Sequence, residues 1–221
     1  MRERNHESAG KRLTGLLNWY KIILIMERLS QAEIIKELNS KELSLFTISD
    51  FKKFFSIKKD NTVYKIIERL TKKGLLKRLT KKRYLFSLLP YNDFQIANFL
   101  YTSSYVSLES ALSLYGIIDQ FPYQITSVTL KKTKRIEALN KEFAYFHIKR
   151  DLFLGYEKKD KFLIASPEKA LFDYLYFAAK GLRSFAKNDF NLRKINKKLL
   201  FKFVKIAKSK QLDRFLIKIN I

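Results

Sequence analysis

The stretch TVYKIIERLTKKGLLKRLTKKRYLF, residues 62–86, constrains the fold more than any other part of the chain. Val63, Ile66, Ile67 and Leu70 recur at the three- and four-residue spacing of one helical face. Gly74 then supplies the residue that a helix end favours in the left-handed conformation. Two short apolar runs follow, LLKRL and RYLFSL, and the turn TKK between them predicts a hairpin. Upstream, Ser30 is placed to cap QAEIIKELNSK, which puts Ile34, Ile35 and Leu38 on one face. Thr47, with Asp50 three residues on, predicts a capping-box start for ISDFKKFF, whose inward stripe is Ile48, Phe51 and Phe55. Three helices followed by a hairpin predict a winged helix-turn-helix over residues 30–89.

Charge gives this segment its expected chemistry. The chain of 221 residues carries a formal +24, an excess that draws polyanions and makes nucleic acid the leading class of partner. An AT-rich genome, which favours lysine codons, is the plainer source of part of that excess. At about 100° per residue, Asn61, Lys65, Glu68 and Lys72 point away from the apolar stripe, with Thr62 and Arg69 on its flanks. A helix that enters the major groove needs this division, because its back must dock on partner helices while its front reaches bases and phosphates. Asparagine pairs bidentately with adenine, Arg and Lys reach guanine edges, and threonine meets a thymine methyl. In the hairpin, Lys77, Arg78, Lys81, Lys82 and Arg83 surround the tip, where a wing would meet backbone phosphates or a minor groove. The ten candidate DNA-binding residues are therefore Asn61, Thr62, Lys65, Arg69, Lys72, Lys77, Arg78, Lys81, Lys82 and Arg83. The competing reading is a solvated basic face on a scaffold used for protein contacts, with Glu68 ill placed beside phosphate.

Several classes fall away. No cysteine is present, and His6 and His147 are the only histidines, which removes thiolate and His-built metal sites. Residues 16–26, LLNWYKIILIM, contain Asn18 and Lys21 and fall short of the roughly 20 apolar residues of a membrane span. A soluble, cytoplasmic protein with no membrane partner is expected. Residues 1–29 form an extension with an expected helix over 13–26, and Met26 is an alternative start. Nucleotide-, hydrolase- and zinc-binding motifs are missing, so no enzyme, cofactor or metal is expected. The enzyme alternative would assemble a site from the scattered Asp119, Asp151, Asp160 and Asp173.

Pro90 begins a short polar joint, PYND, and a second region spans 94–221. Helices are expected over 94–101 and 108–115, the latter capped by Ser107 and ended by Gly116. Strands are expected in QITSVTL, FAYFHIK, LFLGYE and KFLIA. Ser166 and Pro167 read as the cap and first residue of another helix, with Leu171, Tyr174, Leu175 and Ala178 on one face. Asp173 lies one turn past Lys169, and that spacing predicts a structural ion pair. A last helical region runs from about Lys197. Helices and strands without a regular alternation give the class α+β.

YVSLESALSLYGI (105–117) and IASPEKALFDYLYF (164–177), placed after a small winged helix, resemble the AbiEi antitoxins of abortive-infection, type IV toxin–antitoxin systems. The likeness covers most of residues 30–180, stops after Gly181, and does not include the 29-residue extension. It implies an N-terminal domain that binds repeats of double-stranded DNA in its own promoter, and a C-terminal domain that counters a nucleotidyltransferase-like toxin. A stable complex with the toxin is not required in such systems. Within this reading, Lys131, Lys132, Lys134 and Arg135 are the candidate toxin-countering surface, with a solvated loop as the plainer alternative. Two other readings compete: a basic RNA-binding or ribosome-associated protein rich in Phe and Tyr, and a winged-helix regulator without an antitoxin role.

Overall fold

A computed structural model describes residues 30–120 and 122–221. The extension over 1–29 and its expected helix lie outside the described residues. The class is α+β, and the chain divides into two compact units, one ending at Pro90 and one beginning at Tyr91.

The first unit contains α1 (Gln31–Ser40), β1 (Leu45–Thr47), α2 (Ile48–Phe54), α3 (Asp60–Lys72), β2 (Leu76–Thr80) and β3 (Arg83–Phe86). Local chemistry sets its helix starts. Ser30 and Glu33, then Thr47 and Asp50, exchange the reciprocal bonds of two capping boxes. The end of α3 is set by Gly74, at φ +72°. Its N–H donates to the Thr71 carbonyl at 2.9 Å, and the Leu75 N–H donates to Leu70 at 3.0 Å, so two otherwise orphaned carbonyls are satisfied. No heavy atom stands within 4 Å of where a Cβ would be, so glycine is favoured here by conformation and not by space. The strands form an antiparallel sheet in the order β1-β3-β2, with Phe46 opposite Tyr84 and Leu76 opposite Phe86. Ile34, Leu38, Phe46, Phe51, Val63, Ile66, Leu70 and Phe86 are buried together, and each fully buried side chain of this size contributes roughly 1.5–3 kcal/mol.

The second unit opens with α4 (Asp93–Leu100), which Asn92 caps, so the polar joint is shorter than the four residues PYND. There follow β4 (Ser104–Val106), α5 (Leu108–Leu114), β5 (Ile125–Thr129), β6 (Lys134–Ala138), β7 (Lys141–His147), β8 (Tyr156–Lys159), β9 (Phe162–Ala165), α6 (Pro167–Ala179), α7 (Lys197–Ala207) and α8 (Lys210–Lys218). One mixed sheet runs β6-β7-β5-β4-β9-β8, with β4–β9 and β5–β7 parallel. Leu152–Gly155, expected as the start of a strand, instead follows or belongs to a 3-10 turn, and β8 begins only at Tyr156. α6 departs from the expected single buried face. Ten of its thirteen residues are buried, among them Lys169 and Asp173, while Tyr174 is only half-buried. α5, α7 and α8 pack around it, which leaves little of its circumference to solvent.

Candidate nucleic-acid interface

The basic face of the first unit is built on α3 and the hairpin. Packing α3 by Val63, Ile66, Ile67 and Leu70 leaves Asn61, Lys65, Glu68 and Lys72 exposed. Between residues 60 and 86, which span α3 and the hairpin, there are nine Lys and Arg and two acids, Asp60 and Glu68, so the face is strongly cationic. Glu68 is matched within the helix, since Lys72 Nζ lies 2.8 Å from its carboxylate. The hydrogen bond and charge of Lys72 hold Glu68 below the usual carboxylate range, and the same contact holds Lys72 above the usual lysine range. Glu68 thus takes a cation from the face, and it is Lys72 whose charge is spent.

The hairpin carries Lys77 and Arg78 on β2 and Lys81 and Lys82 at the turn, all exposed. Lys82 sits at φ +66°, and its carbonyl accepts the Ile48 N–H at 3.1 Å, which ties the turn to the start of α2. The register slips between Arg78 and Thr80, the signature of a bulge that adds local twist near the tip. Asp60, on the first turn of α3, pairs with Lys52 of α2; that contact holds its carboxyl below the usual range.

Two of the ten expected residues sit differently from the sequence reading, and a third partly so. Thr62 is buried, 8% exposed, because it precedes Ile66 by one turn on the same ridge; it does not reach a surface ligand. Arg69 is half-buried, and its Nε and Nη2 are enclosed without a hydrogen-bond partner among the described residues. Arg83 is half-buried on β3. Tyr64, 46% exposed on α3, is the residue the sequence pattern missed. With Thr71, Lys72, Arg78 and Tyr84 it lines a cleft between α3 and the hairpin. A large aromatic one position after the buried Val63 was the available signal.

In the second unit, the two segments that carry the family resemblance fold against each other. Val106 of β4 pairs with Ile164 of β9, and the Tyr115 hydroxyl donates to the Ala165 carbonyl at 3.0 Å. Their polar residues meet at Asp173. Lys169 pairs with one carboxylate oxygen, while the Tyr105 and Ser107 hydroxyls donate to the other at 3.0 and 2.8 Å. Lys169 and Asp173 are both fully buried. Burial pushes the Asp173 carboxyl up against the opposing pull of Lys169, Ser107 and Tyr105, and it pushes the Lys169 ammonium down against Asp173. The ammonium also lies 4.6 Å from the Phe172 ring centroid and 5.6 Å from that of Tyr105. Gly155, at φ +74°, makes this close packing possible: a Cβ there would stand 2.7 Å from the Phe203 ring.

Ser107 is the correction here. It was expected to cap α5, yet its side chain makes no cap bond and is committed to Asp173. Ser166 does cap α6, accepting the Lys169 N–H at 3.2 Å. The two serines should therefore respond differently to alanine. Ser166→Ala is expected to cost about 1 kcal/mol, the usual loss of a cap. Ser107→Ala is expected to cost about 1.5–3 kcal/mol, because it takes a donor from a buried carboxylate. Chemical denaturation of both variants measures the order; equal effects would reassign Ser107.

Ser110, Tyr115 and Tyr174 hold the fold together: Ser110 exchanges bonds with Thr126, and the Tyr174 hydroxyl donates to Ser184 at 2.8 Å. Burial, with Glu157 and Glu168 nearby, pushes Tyr115 up to about 12. Of the four candidate toxin-countering residues, all exposed, Lys131 and Lys132 lie in the loop before β6, whereas Lys134 and Arg135 belong to β6, an edge strand. The Lys131 ammonium bonds Thr102 at 2.7 Å, and Arg135 lies 3.5 Å from Glu142. Asp119, Asp151 and Asp160 are exposed and Asp173 is enclosed; among the described residues no group of three His, Asp or Glu is placed to hold a metal ion. No helix among them is long and apolar enough to cross a membrane. Neither a protein-family model nor a curated protein matches the chain.

Proposed function

We propose that the chain is a cytoplasmic, non-catalytic DNA-binding autorepressor and antitoxin that counters a nucleotidyltransferase-like toxin. The observation that carries the DNA half is the exposed cationic face of the first unit, where Lys65 on α3 and Lys77, Arg78, Lys81 and Lys82 on the hairpin outnumber the two acids of these elements, Asp60 and Glu68, each paired with a lysine. In this reading the first unit is a winged helix-turn-helix, α3 is its recognition helix and the hairpin its wing. Asn61, exposed on the first turn of α3, reads a base edge, and the hairpin cations hold the phosphates of repeats upstream of the operon.

The antitoxin half rests on the resemblance of residues 105–117 and 164–177. Lys131, Lys132, Lys134 and Arg135 give that half a surface able to meet an acidic toxin face or to compete for its polyanionic substrate. Co-expression tests it. The full chain should restore growth when the neighbouring toxin is expressed from an unrelated promoter, and a variant with these four residues changed to alanine should not. Rescue by both discards the surface and keeps the antitoxin. Failure of the full chain removes the antitoxin half and leaves a DNA-binding regulator.

A further inference from the structure

Residues 190–212 hold eight Lys and Arg and no Asp or Glu, and the reading above assigns this segment nothing. Its main element is α7. Leu200 and Val204 bury one side of the helix, with Phe203 lying 5.9 Å from the Phe172 ring of α6. The remaining arc is exposed and follows a definite pattern. Lys198, Lys202 and Lys205 run along its middle, and none of them is ion-paired among the described residues. Phe201, 37% exposed, sits between Lys198 and Lys205 at the three- and four-residue spacings that make helix neighbours. Leu199 and Ile206, 40% and 42% exposed, bracket Lys202 in the same way.

From this arrangement we infer that the outer face of α7 binds single-stranded nucleic acid. At about 1.5 Å of rise per residue the three ammonium groups are spaced by roughly 4.5 and 6 Å along the axis, a linear charge array suited to a backbone of regularly spaced phosphates. The interleaved apolar residues decide between partners. A duplex keeps its bases stacked inside and would leave Phe201 opposite phosphate and water, whereas a single strand offers unstacked base faces to an aromatic ring. A bilayer-surface helix collects its apolar residues at the centre of the outward face with cations at the margins. On α7 the order is reversed, since the lysines hold the centre and the most apolar arc is already turned to the core. The inference does not depend on the DNA reading of the first unit, because it uses different residues and a different form of nucleic acid.

The test uses the full chain and fluorescent oligouridylate and oligothymidylate of about 15 nucleotides, at the upper end of the roughly 4–16 nucleotides that such surfaces occupy. Both are titrated over a range of salt, beside a duplex of unrelated sequence and phosphatidylserine-containing vesicles. Changing Lys198, Lys202 and Lys205 to alanine should weaken single-strand binding at least tenfold and lower the salt slope by about 2, at about 0.7 per phosphate. Phe201→Ala should weaken it about five- to a hundredfold with the slope unchanged, because stacking releases no counterions. Lys158→Ala, at an exposed position of β8 that belongs to neither basic face, should leave single-strand binding as it was. Whichever oligonucleotide binds more tightly identifies RNA or DNA as the source. Lys202→Glu alone, scored with far-UV circular dichroism, keeps the test valid should the triple variant misfold. Unchanged single-strand affinity in the lysine variants overturns the inference. So does an unaffected Phe201→Ala variant, an equal loss on the duplex, or a loss confined to the vesicles.

Discussion

Changing Lys65, Lys77, Arg78, Lys81 and Lys82 to alanine together should abolish measurable binding to the DNA upstream of the operon, with a loss of at least a hundredfold at moderate salt. All five are exposed on one unit, off its apolar stripe, so the fold should survive. Each phosphate contact removed lowers the dependence of log K on log salt by about 0.9, so the slope should fall by about 4 to 5. Lys72 provides the internal contrast. Its charge is already matched by Glu68 at 2.8 Å, so Lys72→Ala should do little, while Glu68→Gln should tighten binding by returning a cation to the face. Asn61→Ala should act differently again, eroding sequence preference by about 1–3 kcal/mol with the salt slope intact. Gel-shift or anisotropy titrations at several salt concentrations separate these outcomes. An unchanged slope in the five-residue variant would remove DNA binding from this face.

The face could be read from sequence because local signals decide it. The α3 stripe, the cap at Ser30, the capping box at Thr47, and Gly74 at φ +72° all act within a few residues, and the structure contains each of them. What escaped the sequence depends on distant partners. β1 is only three residues, Leu45–Thr47, and exists because β3 pairs with it from some forty residues away. β4 is likewise only three residues, Ser104–Val106, and exists because β5 pairs with it, Tyr105 lying opposite Val128. β6 is charged, Lys-Arg-Ile-Glu-Ala, as an edge strand can be, so no apolar alternation announces it. The i, i+4 spacing of Lys169 and Asp173 was legible, but the donors that complete the cluster stand 66 and 68 residues away in sequence. Thr62 shows the same limit on a smaller scale: a flank position is buried or exposed according to what packs beside it, which periodicity does not supply.

Breaking the buried pair should have the largest effect on stability. Lys169→Met leaves the Asp173 carboxylate enclosed with two hydroxyl donors and no opposite charge, and the expected cost at pH 7 is about 3–5 kcal/mol. That is a large part of the stability of a domain this size. Asp173→Leu should cost a similar amount by stranding the Lys169 ammonium among aromatic rings. Replacing both at once removes both charges, so the double variant should return to near or above the parent. The two single variants should also respond oppositely to pH. Burial raises the Asp173 carboxyl even with Lys169 present, and without that cation it rises further. A raised folded-state value means the proton is held more tightly by the folded chain, so the stability of Lys169→Met is fullest at acid pH and falls as pH rises through that value. Asp173→Leu leaves a lysine whose folded-state value is lowered, so its stability should improve as pH rises. Denaturation between about pH 5 and pH 9 measures both trends, and single-variant costs below about 1 kcal/mol would show that the pair is not integral to the fold. The same variants bear on the resemblance, because Tyr105, Ser107, Lys169 and Asp173 all lie in its two segments. Toxin rescue lost in the singles and regained in the double would assign those residues to the fold. Rescue still missing from a fully stable double variant would give the polar cluster a function of its own.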